Sequence, residues 1–409
     1  MVSAAGVREI LAGITGDDFV RDAVAADAVA GVQPSLVVSP GTEAEVSAVL
    51  ACASRDGLAV VVRGGGTKLD WGAPPSRCDV LLSTARLDAV VEHEPGDLVC
   101  VVQAGLRLDA LQAALAPHGQ RLALDPGHGV AATLGGIAAA GAWGPLRARY
   151  GTARDLVIGA RFVLADGTVG HSGGKVVKNV AGYDVAKLLI GSLGTLAVVT
   201  ELSLRLHPLP HASCTLAVEG LDAAGVASVW RTVEGAAVVV SRAVALWPDG
   251  VLLLQVDGTE HGVEAQVSAL HATGTLRRLD ASDAETAWAQ AQAAVWTEGA
   301  TVAAIGVPRT DLAALLDRLD RVAERTLALP SLGIAESRLR PTISEDDVCA
   351  LRAWTEQRGG HLVLRRPPAS LAHLAWPQHD DPALDLMRAV KRSLDPTGTL
   401  APGRFLGGI

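Results

Sequence analysis

The residues of this chain whose types and spacing could do chemistry lie mostly in glycine-rich loops. Arg63-Gly64-Gly65-Gly66-Thr67-Lys68-Leu69 follows an apolar, β-branched run over residues 58–62. Three consecutive glycines let the main chain approach a ligand closely and take positive φ angles, so that successive amides can form an anion-binding nest. Thr67 adds a hydroxyl donor. A second loop, Thr133-Leu134-Gly135-Gly136, opens the small-residue pattern Ile137-Ala138-Ala139-Ala140. A helix starting there would add the partial positive charge of its N-terminus. Two such loops suit the pyrophosphate of a dinucleotide.

Other nucleotide motifs fit less well. Gly127-His128-Gly129-Val130-Ala131-Ala132 has a loose G-x-G-x-x-A spacing, but it follows Asp125-Pro126 where a dinucleotide fold needs a strand. Gly173-Gly174-Lys175 lacks the first glycine of a P-loop, because Val169 stands there, and Val176 stands where Ser or Thr must meet magnesium. His207 and His211 are four apart, yet Pro208 and Pro210 forbid the helix that would aim both rings at one metal. No metal site is expected.

The elements that must position these loops read as mixed α+β structure. Strands are expected over 34–39, 58–62, 79–83, 89–93, 98–103, 156–164 and 196–206, from apolar, β-branched runs ended by turn residues. Thr42 and Glu45 have capping-box spacing ahead of a helix, and a helix through Leu108, Leu111 and Leu115 must stop before Pro117. His207-Pro208-Leu209-Pro210-His211 marks a boundary that no central strand or helix crosses. Beyond it, helices over 263–272, 284–296, 311–327 and 345–358 alternate with strands such as 301–307, and a helix over 387–394 precedes the tail. The expected domains are 1–210 (core 34–209), 211–385, and a segment 386–409 that returns to the first.

Composition narrows the function classes. The chain has 409 residues, 49% apolar and 19% charged, with a net charge of −9. That length suits two domains, and that charge gives no phosphate-neutralising surface for nucleic acid. Apolar runs are too short for a spanning helix, and residues 1–18 lack the pattern of a signal peptide, so a cytoplasmic protein is expected. The five cysteines, Cys52, Cys78, Cys100, Cys214 and Cys349, are scattered without a CxxC pair. Buried thiols are expected in place of a zinc or iron–sulfur framework.

The two loops recur within an ordered set: Tyr150-Gly151-Thr152-Ala153-Arg154-Asp155, Lys178-Asn179-Val180-Ala181-Gly182-Tyr183-Asp184, Gly191-Ser192-Leu193-Gly194-Thr195-Leu196 and Pro402-Gly403-Arg404. Together they resemble flavoproteins of the vanillyl-alcohol oxidase type, whose FAD domain is also named after p-cresol methylhydroxylase. Within that family the blocks are most similar to the FAD-binding E subunits of bacterial glycolate oxidase. The resemblance spans about residues 34–209, with weaker support in the tail. It implies a PCMH-type FAD-binding domain of two α+β subdomains, holding an extended FAD beneath an α+β cap domain. The cofactor contacts it implies are Arg63, Gly64, Gly65, Gly66, Thr67, Lys68, Leu69, Pro126, Gly127, Thr133, Gly135, Gly136, Gly141, Gly144, Arg154, Gly194, Val198 and Arg404. Relatives that bind FAD covalently do so through a histidine in the first loop. That loop has none here, and His128 is the nearest alternative, so non-covalent FAD is expected.

The resemblance also implies a role in oxidising glycolate or a related 2-hydroxy acid. Such a reaction needs a hydride acceptor, a base for the hydroxyl proton and a cation for the carboxylate. Lys178 and Tyr183 are the catalytic candidates, and Arg365 and Arg366 could hold an acidic substrate. The more distantly similar catalytic D subunits carry Glu where Leu193 stands, and a histidine-rich metal motif with no counterpart here; His361 and His373 lack ligand spacing. The implied role is therefore an FAD-binding subunit working with a catalytic D subunit and an iron–sulfur F subunit, any membrane association coming through the complex. A self-sufficient FAD oxidoreductase and a structural subunit with a degenerate flavin site are the alternatives.

Overall fold

The computed structural model describes residues 4–127, 131–175, 182–271, 276–378 and 382–409. In the first subdomain, Leu36–Val38, Val80–Ser83 and Val60–Arg63 lie side by side in parallel, and Val20–Asp22 adds an antiparallel edge. Parallel strands are covered on both faces, which is why they read as unbroken apolar runs; Val38, Val60, Leu81 and Leu82 are all buried. Helix Glu43–Asp56 covers them with Val46, Val49, Leu50 and Ala53. Thr42 caps it, its Oγ1 accepting from Glu45 N at 3.1 Å. The Glu45 carboxylate reaches Gly41 N at 2.7 Å, one residue short of the expected capping box.

The second subdomain is a five-stranded antiparallel sheet in the order Val90–Glu94, Val99–Gln103, Val198–Arg205, Val157–Val163, Val169–Gly173. Along its central strand Val198, Thr200, Leu202 and Leu204 face the core and alternate with half-buried residues, as the two-residue period of a pleated strand requires. Leu108–Leu115 and the short helix Leu134–Ala140 pack on this sheet.

The cap is one eight-stranded antiparallel sheet, in the order Arg277–Arg278, Ala212–Val218, Val251–Gly258, Val240–Trp247, Ala323–Leu329, Ile334–Leu339, Val302–Gly306, His361–Arg366. Helices Ala223–Gly235, Leu312–Leu319 and Glu345–Glu356 cover one face. Ala281–Ala293 lies on the other, where Trp288 and Ala291 share a core with Trp143 of the FAD domain. Two helix expectations are corrected here. The helix expected over 311–327 ends at Leu319, and Ala323–Leu329 is a strand, because pairing with Val240–Trp247 and Ile334–Leu339 overrides its helix-favouring composition. The helix expected over 284–296 ends at Ala293, leaving Trp296 in the following loop.

Pro382–Leu394 starts five residues ahead of the expected 387, so the expected domain limit at 385 falls inside it. Val390 and Leu394 pack on Phe162, Leu189 and Leu196 of the FAD domain. Beyond it the chain runs beside Val60: Val60 N donates to Thr399 O at 2.7 Å and Ala401 N to Val60 O at 2.8 Å. The buried Lys391 ammonium fixes this return, donating to Asp395 Oδ2 at 2.6 Å, Thr195 O at 2.7 Å and Leu400 O at 2.8 Å. Four of the five cysteines are buried as expected, whereas Cys349 is exposed.

Candidate functional site

A cleft between the two subdomains gathers the glycine loops. Val62, Gly64, Gly65, Gly66, Thr67, Lys68, Leu69, Thr133, Gly136, Ala139, Leu193 and Arg404 line one stretch; Gly135, Gly194, Ala197, Val198 and Leu189 continue it. The loops approach so closely that only glycine fits. A β-carbon on Gly64 would lie 2.1 Å from Thr133 Oγ1, and one on Gly65 1.6 Å from Ala131 O. Gly66 takes a φ of 77°, in the left-handed region. The amides of the second loop are spent internally: Gly135 N donates to Ala104 O at 2.7 Å and Gly136 N to Thr133 Oγ1 at 3.3 Å. The loop over residues 64–67 is therefore the stretch of this cleft whose amides could cradle an anion, and Thr133–Gly136 packs closely against it.

Arg404, from the C-terminal return, completes the cleft. Its Nη2 donates to Lys68 O at 3.2 Å and Leu69 O at 2.7 Å, while its buried Nη1 has no hydrogen-bond partner among the described residues. Burial pushes this guanidinium down to about 10. A desolvated cation with a free donor at the edge of a glycine nest fits a bound diphosphate.

Several expected contacts lie elsewhere. The Arg63 guanidinium turns away to pair with Asp27 at 2.7 Å. Gly141 ends the short helix and packs on Gly191, and Gly144 packs on the Asp125 carbonyl. Arg154 donates to Lys187 O at 2.7 Å on the surface. Pro126 is buried and Gly127 packs against Trp296. Tyr183, a catalytic candidate, is 94% exposed and outside the cleft. Lys178 and His128 lie outside the described residues.

Beyond Lys68 the cleft meets the cap in a cluster that the sequence reading only grazed. Trp71 follows the glycine loop and stacks on Trp296, and Trp296 Nε1 donates to Glu336 Oε2 at 2.9 Å. The Arg365 guanidinium lies 4.3 Å from the Trp71 ring and 3.6 Å from Glu336 Oε1. Lys68 Nζ is 5.6 Å from the same ring, and Arg366 pairs with Asp70. Burial pushes the Glu336 carboxyl up against the opposing pull of Arg365 and Trp296. It also lowers the Lys68 ammonium to about 8. A β-bulge aims Arg365: Val302 pairs with Arg366 and Ala303 with Leu364, leaving Arg365 as the extra residue. Its carbonyl, released from the ladder, accepts from Gly72 N of the FAD domain at 2.8 Å.

Of these, Arg365 and Arg366 were anticipated as anion ligands, whereas Asp70, Trp71, Trp296 and Glu336 were not. One signal was available: Glu336 is a lone acid in the otherwise strand-like Ile334–Leu339, which predicts either a paired or a working carboxylate.

Residues 34–173 match the family model described as FAD binding domain, and residues 375–405 match that of the FAD linked oxidases, C-terminal domain. The second match holds Arg404. FAD is the cofactor of this domain, and the cradle over 64–67 with Arg404 fits its diphosphate. Among curated relatives, the chain is 27% identical over 420 residues to the glycolate oxidase subunit GlcD of Bacillus subtilis, covering 91% of this chain and 89% of the relative. It is 38% identical over 162 residues to the glycolate oxidase subunit GlcE of Escherichia coli, covering 39% and 46%. It is 39% identical over 183 residues to a D-lactate dehydrogenase of Archaeoglobus fulgidus, covering 45% and 41%. Except for the first, these matches span less than half the length of the relatives. The fold is that of p-cresol methylhydroxylase, with a TM-score of 0.76 at 17% identity over 97% of this chain and 96% of that structure.

Proposed function

We propose that this FAD-binding chain of the p-cresol methylhydroxylase fold serves in the oxidation of small 2-hydroxy acids to 2-oxo acids, as the FAD-binding subunit of a glycolate oxidase type of complex. The observation that carries the reading is the meeting of the cleft's Lys68 end with the buried Glu336–Arg365 pair. A cation for a carboxylate and an acid of raised pKa for a hydroxyl proton stand together there.

FAD, when bound, supplies the acceptor for the hydride that leaves the carbinol carbon. Arg365, with Lys68 beside it, holds the substrate carboxylate, trading its contact with Glu336 for a charge-assisted one. Glu336 takes the hydroxyl proton, and its raised pKa brings it nearer the working pH, where a general base is most effective. Trp71 and Trp296 exclude water from the pair, which strengthens both interactions. A second flavoprotein, a D-type subunit, and an iron–sulfur F subunit are the proposed partners, in the cytoplasm. Among the described residues no helix is long and apolar enough to cross a membrane.

A second reading, a self-sufficient oxidoreductase, is favoured by the similarity to the D-type subunit along nearly the whole chain. Anaerobic addition of glycolate or D-lactate to the purified chain separates the two. Bleaching of the flavin by the chain alone supports autonomy, and bleaching only with co-purified partners supports the subunit. Failure of both overturns the proposal. Glu336→Gln is expected to slow bleaching by about 100-fold or more at unchanged FAD content, the loss typical of a missing general base.

A further inference from the structure

Lys68 is held unlike the other described lysines. It is 9% exposed and lines the cleft, and its Nζ donates only to the hydroxyl of its own neighbour, Thr67 Oγ1, at 3.0 Å. No carboxylate pairs with it among the described residues: Asp70 is taken by Arg366, and Glu336 lies against Arg365 and Trp296. Lys391 is equally buried, yet its three N–H donors go to Asp395, Thr195 O and Leu400 O. Lys187 donates to the carbonyls of Arg154 and Val157, and Lys175 pairs with Glu92. Those three are fixed by their acceptors, and Lys68 is buried without such partners.

The surroundings of Nζ favour the free amine. The Trp71 ring centroid lies 5.6 Å away, and the Arg365 guanidinium borders the same ring at 4.3 Å. Burial strips the water that would solvate an ammonium, and Arg365 and Arg366 repel it, against the pull of Glu336 and Asp70, so that Lys68 is pushed down to about 8. At neutral pH it then holds roughly 100-fold more free amine than an exposed lysine titrating near 10.4. A desolvated lysine beside other cations is a nucleophile toward carbonyl carbon. Arg365 Nε is itself buried, with no hydrogen-bond partner among the described residues. A carboxylate seated on this guanidinium brings the carbon bonded to it toward the amine, since both groups border Trp71.

We propose that Lys68 is a site of reversible imine formation with small 2-oxo acids, the aldehydic ones above all. The inference rests on the reading above in that such acids are the product expected at this site. The Nζ lone pair forms the C–N bond as the carbonyl π pair moves to oxygen, and a proton passes from nitrogen to that oxygen. Loss of the new hydroxyl as water, with the second proton of the amine, leaves the C=N bond; nothing is oxidised or reduced. Glu336, near enough to Lys68 for each to shift the other's titration, can relay these protons. Hydrolysis reverses the step, so the product becomes a slow brake on its own formation.

The test is reductive trapping on the full, FAD-loaded chain with no hydroxy acid present. Glyoxylate is added with cyanoborohydride, and the peptides are mapped by mass spectrometry. Lys68 should gain a carboxymethyl group about ten-fold or more faster than Lys175, which is paired at the surface. Oxalate, which offers carboxylates but no electrophilic carbon, should slow labelling of Lys68 and leave Lys175 alone. Formaldehyde, which has no carboxylate, separates the amine from the clamp: in Arg365→Gln the ratio of glyoxylate to formaldehyde labelling at Lys68 should fall about ten-fold, through loss of a charge-assisted contact. Equal rates at Lys68 and Lys175, labelling of Lys68 only after FAD is stripped, or an unchanged ratio in Arg365→Gln would overturn the inference. Because trapping needs no turnover, a labelled Lys68 in a chain that oxidises no hydroxy acid would overturn the functional reading alone. An unlabelled Lys68 in a chain that does oxidise one would overturn the inference alone.

Discussion

Trp71 and Trp296 stack with their ring centroids 4.9 Å apart and their planes 19° from parallel, one ring from the FAD domain and the other from the cap. Cationic side chains from both domains lie over these rings: Lys68 and Arg365 over Trp71, and Arg366 over Trp296. The stack joins the domains while keeping water from Glu336. A double-mutant cycle with Trp71→Leu and Trp296→Leu should return a coupling of about 0.5–1.5 kcal/mol in urea unfolding, beyond the separate losses. A coupling of zero would mean that the rings only share a wall.

Gly65→Ala should empty the FAD site. Its β-carbon would meet the Ala131 carbonyl at 1.6 Å, a clash that only displacement of a loop can relieve. The Kd for FAD added back to the stripped protein should rise by about ten-fold or more, corresponding to roughly 1.4 kcal/mol of binding or more. Gly96→Ala, where a β-carbon meets nothing within 4 Å among the described residues, is the control and should load normally.

Asp125 should make stability fall as pH rises through the weakly acidic range. Burial pushes its carboxyl up to about 7, against the opposing effects of Arg242, the Leu146 amide and Arg121. An unfolded aspartate titrates near 3.9. Below about pH 4 both states hold the proton and the contribution is complete. Between there and about 7 only the folded state holds it, so stability drops with each step upward and levels off above 7. The nearby Asp257 is shifted in the opposite direction and acts only in more acid solution. Asp125→Asn should remove this slope, and parallel urea-midpoint profiles for the two proteins between pH 4.5 and 8 would refute the assignment.

Lys391→Met should destabilise the chain by about 3–5 kcal/mol, because it strands the buried Asp395 carboxylate without a counter-ion. Adding Asp395→Asn should recover part of the loss. Equal unfolding midpoints for the single and double variants would show that packing, and not the lost pair, sets the cost.

The glycine-lined cleft was legible in the sequence because its demand is steric and local. Gly64, Gly65 and Gly66 can be read from their own types, and Arg404 from the motif around it. The cap side was less legible. Glu336 and Arg365 lie in different strands on either side of Val302–Gly306, and only sheet register and a bulge bring them together. Trp296 sits in a run of alanines that reads as continuing helix, so nothing nearby signals that the chain has turned to meet Trp71. Ala323–Leu329 shows the same limit at the level of the fold. Its Ala, Glu, Arg and Leu favour helix, and its partners on both sides, not its composition, make it a strand.

The return of the C-terminal segment to Val60 has a consequence for biosynthesis. Arg404 follows Lys68 by 336 residues, yet it anchors the end of the glycine loop. While the cap is being translated, the first subdomain stands outside the ribosome without its neighbour along Val60 and without the guanidinium of its cleft. The cleft is thus completed last, and a chain truncated before Lys391 would be left with an open flank that chaperones and proteases can recognise.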